Sequence, residues 1–418
     1  METLADNSQV LQSRPALEPP PSADDQRAQE IAESTVKDFS IIMGGPVYNL
    51  VHRSKLGGQT TPDVLRRIAV LLAVMWLSLL LLSLKDGLAF GHRVRIPFLY
   101  DFTVYGRLLI GIPLLLLAEI LIEPQVRQAV KEFLKARLVP DQELPAFENV
   151  LRRVEQMRDS WFAEAIVVVL AFFPILLFQH EWDAGVITNW HTTANGLSAA
   201  GWFYAVVSAP IMRYIAYRWV YRYLLWAVLL WKISQLQLIL IPTHPDRAAG
   251  LNFLSITQKH FGILASALCC SVAGRVANVI LFEGKSLSSF KYPLLGFVAL
   301  SVIAGLLPLA FWAPRLKKVR TKGLLDYGRL AKTYTESFDR KWVHYAATPS
   351  EHLLGTPDMQ SLADLGNSFA FVEKMQWAPV SKKLVKQLAW FTALPLLPVI
   401  VYATPTAELI RQVMHLIT

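Results

Sequence analysis

Cysteine, charge and catalytic signatures are all scarce in this chain. Its only two cysteines, Cys269 and Cys270, are neighbours within an apolar run. A bond between adjacent residues is strained and closes no loop, so a disulfide scaffold is excluded and no redox compartment can be read. Charged residues make up only 17% of the 418, against about 25% in soluble domains. That shortage comes with 53% hydrophobic residues, 12 Trp and 21 Phe, which excludes disordered and collagen-like classes and makes lipid part of the solvent. There is no Walker loop, G-x-S-x-G elbow or H-E-x-x-H helix, and every histidine lies outside or at the edge of an apolar run. No cofactor is expected, and the chain reads more as a non-enzyme than as an enzyme. The first residues lack a basic stretch followed by a short apolar one, so no cleavable signal is expected.

Long apolar runs are what the chain does have. A bilayer core about 30 Å thick needs roughly 17–25 apolar residues in helix. Seven segments qualify: 68–84, 108–122, 161–178, 200–221, 261–282, 292–313 and 384–402. The fold class is therefore an all-α polytopic membrane protein with about seven transmembrane helices. The net charge of +9 would suggest nucleic acid in a soluble protein, but here the cations flank apolar runs, and the bilayer is the expected partner. With the N-terminus in the cytoplasm, inside segments hold 32 Lys and Arg and outside segments hold seven. That asymmetry gives an N-in, C-out orientation in a bacterial-type inner membrane.

The segment 196–241 is long enough to cross twice, yet two crossings would turn the twelve cations of 314–383 outward. It is read as one span, 200–221, continued by an apolar cytoplasmic helix, 224–240, that Pro242 ends. The organisation is then a disordered tail (1–25), juxtamembrane peripheral helices (26–67), spans one to six with a cytoplasmic extension at 224–260 (68–313), a cytoplasmic helical subdomain (314–383), and span seven with a short outer tail (384–418). In the subdomain, Leu324, Tyr327, Leu330, Tyr334, Phe338, Trp342 and Tyr345 share one helical face. A second helix is expected from Pro357. Its stripe is read as packing against the first, or else the two form a docking face for another chain, whether a second copy or a membrane partner.

Ionisable groups inside spans are costly and draw attention first. Glu119 and Arg213 fall at similar counted depth and are expected either to pair or to line a polar pathway. Arg275, with Asn278 one turn on, lies about 10 Å below the outer surface and suits an anion or a hydrated cavity. Gly262, Ser266, Cys270, Gly274 and Asn278 form a small-residue stripe that reads as helix packing. Outside, His180, Glu181, Asp183 and His191 are metal-ligand types without a zinc spacing, and a solvated loop is preferred. Inside, Asp246 is expected to cap a helix at 248–258 and Arg247 to meet phosphate headgroups, the alternative being a His244–Asp246 acid–base pair. Arg315, Lys317, Lys318 and Arg320 read as contacts with anionic lipid. The leading functional expectation is a conduit for a small ion or anion using Glu119, Arg213, Arg275 and Asn278. The alternatives are a scaffold or signalling subunit acting through 314–383 and an envelope-modifying enzyme using His244 and Asp246.

Overall fold

A computed structural model describes residues 60–177, 188–193, 196–344 and 357–404, together with 27, 30–31, 34–37, 39–53 and 58. The proposed tail 1–25, the outer ligands His180, Glu181 and Asp183, and Tyr345 lie outside the described residues. The described chain is almost entirely helical: α1 (Pro46–Arg53), α2 (Thr61–Lys85), α3 (Phe102–Lys135), α4 (Leu144–Arg158), α5 (Trp161–Leu177), α6 (199–235), α7 (Phe253–Glu283), α8 (Leu287–Ala310), α9 (Ala313–Phe338), α10 (Pro357–Glu373) and α11 (Lys382–Ala403). Polar side chains start the long apolar helices. Asp101 accepts from the N–H groups of Thr103 and Val104, Ser198 from Gly201, and Ser381 from Leu384, which satisfies donors that have no partner within the helix.

Five helices, α2, α3, α7, α8 and α11, are long and apolar enough to cross a membrane. They make this a membrane-embedded protein. The other two expected spans are helical but fall short by different routes. Helix α5 is apolar, with 17 described residues, and α6 carries Arg213, Arg218, Arg222 and Lys232. These two run antiparallel, because Tyr221 of α6 bonds to Met157 just ahead of α5, and Tyr214 and Arg213 bond in turn to Glu164 and Ala171 farther along α5. An antiparallel pair crosses or stays out together. The side on which α9 and α10 lie therefore does not depend on it.

Burial ranks the spans. In their most apolar stretches, 44% of α3 and 39% of α7 are buried, against 11% of α8, so α3 and α7 form the centre and α8 the lipid-facing rim. Close approach makes this possible: a Cβ on Gly106 of α3 would stand 2.2 Å from the Cys270 carbonyl oxygen, and one on Gly274 of α7 would stand 2.3 Å from that of Phe102. Ser266 donates to the Phe391 carbonyl of α11 at 2.6 Å, so the small-residue stripe packs helices on two sides. Prolines shape the same helices. Just before Pro113 and Pro210 the backbone widens into π-helical turns, Tyr105–Gly111 and Tyr204–Ser208, which a missing proline N–H favours. In α11, Pro395 sits within a 3₁₀ turn, Leu394–Leu396, and Pro398 follows at the start of the next turn.

Three expectations change. The apolar extension is helical only to Gln235; from Leu236 the chain is extended, with Leu236, Leu238 and Leu240 packed inward and Gln237, Ile239 and Ile241 exposed. That alternation has a period of two, and Arg315 fixes the helix end by donating to the Ser234 carbonyl (2.8 Å) and to that of Leu236. The helix expected at 248–258 is Phe253–His260, the first part of α7. Part of the segment 26–67, expected to be peripheral, is instead interior: Val36, Phe39, Ile41 and Ile42 are buried among α3, α4 and α6. Helices α9 and α10 pack on each other as expected, joined by Tyr334 and Trp342 to Asp358, although Leu330 points outward.

Candidate functional site

Three polar assemblies and one apolar groove divide the residues singled out in the sequence. The first assembly gathers around the middle of α3. Glu119 receives Arg222 of α6 at 2.9 Å and Arg67 of α2 at 3.0 Å, so the expected Glu119–Arg213 pair does not form. Arg213 instead donates to the Ala171 carbonyl of α5 at 3.2 Å. The side chains of Glu119, Arg67 and Arg222 are only 15%, 13% and 5% exposed, and one carboxylate thus offsets two buried guanidiniums. Around them, arginines hold the irregular segment 37–44 by its backbone. Arg222 donates to the carbonyl of Ile42 (2.8 Å), Arg218 to Gly44 (3.1 Å), Arg158 to Ser40 (2.6 Å) and Arg127 to Lys37 (3.3 Å). A segment without helical hydrogen bonds needs outside donors when it is buried, and the arginines supply them. Burial opposes ionisation of Asp159, but Arg158 and the Gly45 N–H hold its carboxyl below the usual carboxylate range.

The second assembly is at the start of α3. Asp101 is buried and accepts from Trp190 Nε1 (2.9 Å) and Asn278 Nδ2 (2.7 Å) as well as from its own helix start. Asn278 closes the ring by accepting from the Phe102 N–H at 2.9 Å. Asn278 therefore ties α7 to the start of α3. Arg107, left outside the span by the sequence reading, lies in the π-helical turn of α3 and donates to Tyr204 of α6 at 2.9 Å. His191 stacks on Trp190 with centroids 3.7 Å apart, and burial pushes its ring pKa down to about 4. It enters the fold as a neutral ring. Arg275 is exposed on α7, with no hydrogen bond or ion pair to any described residue.

The third is the loop 244–252. Asp246 Oδ1 accepts from the N–H groups of Ala248 (2.8 Å) and Gly250 (3.1 Å), and Oδ2 from Asn252 (3.0 Å). It is held in place as a loop organiser, with His244 Nδ1 2.8 Å away. Burial works against its charge, yet the three backbone donors and His244 keep its carboxyl below the ordinary range. Arg247 and Ala249 sit at φ +57° and +56°, a left-handed backbone that these bonds over-determine. The Arg247 side chain is exposed. Of the four cations expected to meet lipid after span six, Arg315 caps α6 and Arg320 caps α10 through the Glu373 carbonyl, which leaves Lys317 and Lys318 exposed. Among the described residues no three or more His, Cys, Asp or Glu converge as a metal site.

The groove lies between α3, α7 and α11, with a volume of about 730 Å³. Its floor is the small-residue face of α7 (Ser266, Cys270, Ala273, Ala277), and its far wall is the proline-broken stretch of α11. Rim residues Phe102, Ile110, Leu121 and Leu394 are exposed, so the groove opens sideways. From Lys259 to Ala277 it follows α7 for about 27 Å, close to the whole hydrocarbon thickness of a bilayer. The polar residues Lys259, His260 and Gln387 gather at one mouth. The periodic small residues and the two prolines of 394–399 were the legible signals for this feature. No family model matches the chain, and no curated protein or solved structure matches it.

Proposed function

We propose that this integral membrane protein takes a hydrocarbon-chain amphiphile from the surrounding bilayer into the groove between α3, α7 and α11. One observation carries the reading: a sideways-open apolar groove that runs the length of the hydrocarbon core. Its volume spread over about 27 Å gives a cross-section of about 27 Å², room for one hydrocarbon chain. The small-ion conduit has less support, because Glu119, Arg213 and Asn278 are each engaged in packing contacts. Only Arg275 remains for it.

The test is what stays with the purified protein. Native mass spectrometry of the full chain should find a retained amphiphile, and Ala277→Trp, which fills the outer part of the groove, should remove most of it while the protein stays monodisperse. Ile110→Trp at the exposed rim serves as a second blocking variant. Unchanged retention in a folded blocking variant would end the reading.

The cellular setting is proposed alongside: a bacterial inner membrane, with the N-terminus and the α9–α10 hairpin in the cytoplasm. The support is the Lys and Arg asymmetry, with twelve cations in 314–383 and none in 179–199. A reporter inserted after Lys322 should be active as a cytoplasmic fusion; periplasmic activity would overturn the orientation.

A further inference from the structure

The buried and half-buried arginines near the inner end of the bundle are already occupied. Arg67 and Arg222 meet Glu119, Arg127 meets Glu123, Arg158 meets Asp159, and Arg213, Arg218 and Arg315 meet backbone carbonyls. Lys259 differs. It lines the groove mouth, is half-buried there, and makes no hydrogen bond or ion pair with any described residue. No acidic side chain lines the groove to neutralise it. Two uncharged donors or acceptors line the groove with it: Gln387 of α11, and His260, whose Nδ1 lies 3.0 Å from the Ile256 carbonyl and so donates there, which makes Nε2 the acceptor nitrogen.

A partly desolvated ammonium with no counter-charge attracts an anion, and its position fixes which part of a ligand that anion is. It stands at the end of an apolar groove as long as the hydrocarbon core is thick. The anion must therefore be the headgroup of a molecule whose tail fills the groove. We infer that the occupant is an anionic amphiphile, with one hydrocarbon chain along α7 and a phosphate or carboxylate headgroup on Lys259, flanked by His260 and Gln387. This inference rests on the groove reading. It adds the sign of the headgroup and the mouth that receives it. Two sources share the chemistry, a glycerophospholipid of the bilayer and a free fatty acid.

The full chain in phosphatidylcholine nanodiscs, titrated with phosphatidylglycerol or with oleate and read by native mass spectrometry, separates the possibilities. Wild type should retain one of the two anionic probes at least about fivefold more tightly than phosphatidylcholine of matched chain length, as expected for one membrane-surface cation. Which probe wins identifies the source. Lys259→Gln should bring that ratio close to one without loss of phosphatidylcholine binding. Lys386→Gln, an exposed cation on α11 that does not line the groove, should leave the ratio unchanged. Ala277→Trp should abolish binding of all three. A ratio near one in wild type, with Ala277→Trp still blocking, would overturn the headgroup assignment and spare the groove. Equal losses from Lys259→Gln and Lys386→Gln would reduce the preference to lipid attracted by surface charge and overturn the assignment too. Binding that survives a folded Ala277→Trp would sink the groove reading itself.

Discussion

Glu119→Gln is expected to destabilise the protein by about 3–5 kcal/mol, the cost of removing one partner from a buried ion pair. The size follows from what is left behind. Arg67 and Arg222 both point at this carboxylate at 3.0 and 2.9 Å, so its loss strands two guanidiniums in a site that admits little water. Arg222 keeps only the Ile42 carbonyl as acceptor and the face of Trp219, 5.0 Å from its guanidinium carbon. The variant should show a large drop in the apparent melting temperature of the detergent-solubilised protein and a loss of the monodisperse fraction. Arg222→Gln added to Glu119→Gln should cost less than the sum of the two single changes, since the second removes a charge the first had stranded. A Glu119→Gln protein as stable as wild type would mean that water reaches the cluster, and the polar-pathway reading of Glu119 would return.

Replacing residues 36–45 by Gly and Ser of equal length should have a larger effect still. Val36, Phe39, Ile41 and Ile42 are fully buried, and at about 1.5–3 kcal/mol for each such side chain their loss removes roughly 6–12 kcal/mol. That matches or exceeds the entire stability of many proteins, about 5–15 kcal/mol. The same magnitude decides what this segment is. A strap that opened and closed in function would have to give up this burial each time, so the segment is a fixed keystone between α3, α4 and α6. No monodisperse protein should be recovered from the replaced chain, whereas Phe39→Ala, at about 3–5 kcal/mol, should still fold with a lowered melting temperature. Recovery of a normal, fully stable protein after replacement would show that α3, α4 and α6 close without it.

Sequence reasoning succeeded where the signal was periodic and local. The apolar runs, the stripe from Gly262 to Asn278 and the helix starting at Pro357 became structure at the expected positions. It failed at the pairing of Glu119. Counting rise along each helix gives a depth only relative to that helix's own end and says nothing of how two helices tilt and turn against each other. Arg222 lies nine residues, about 14 Å of rise, beyond the Arg213 that counting selected. The Leu236–Ile241 stretch failed for a related reason: its apolar content suits helix or strand, and only the partners available to its backbone, Leu138 and Arg315, make it extended.

What the sequence by itself determined is the solvent: apolar runs about as long as a bilayer is thick cannot be satisfied in water, and a helix closes its own hydrogen bonds inside lipid. Only the tertiary structure decided which arginine meets which carboxylate, why residues 39–42 are interior, and that three helices leave a groove ending at a lysine with no partner among the described residues. Lipid exposure and helix formation are properties of one segment, whereas ion pairs and grooves depend on the relative height and rotation of several, and no local pattern encodes those.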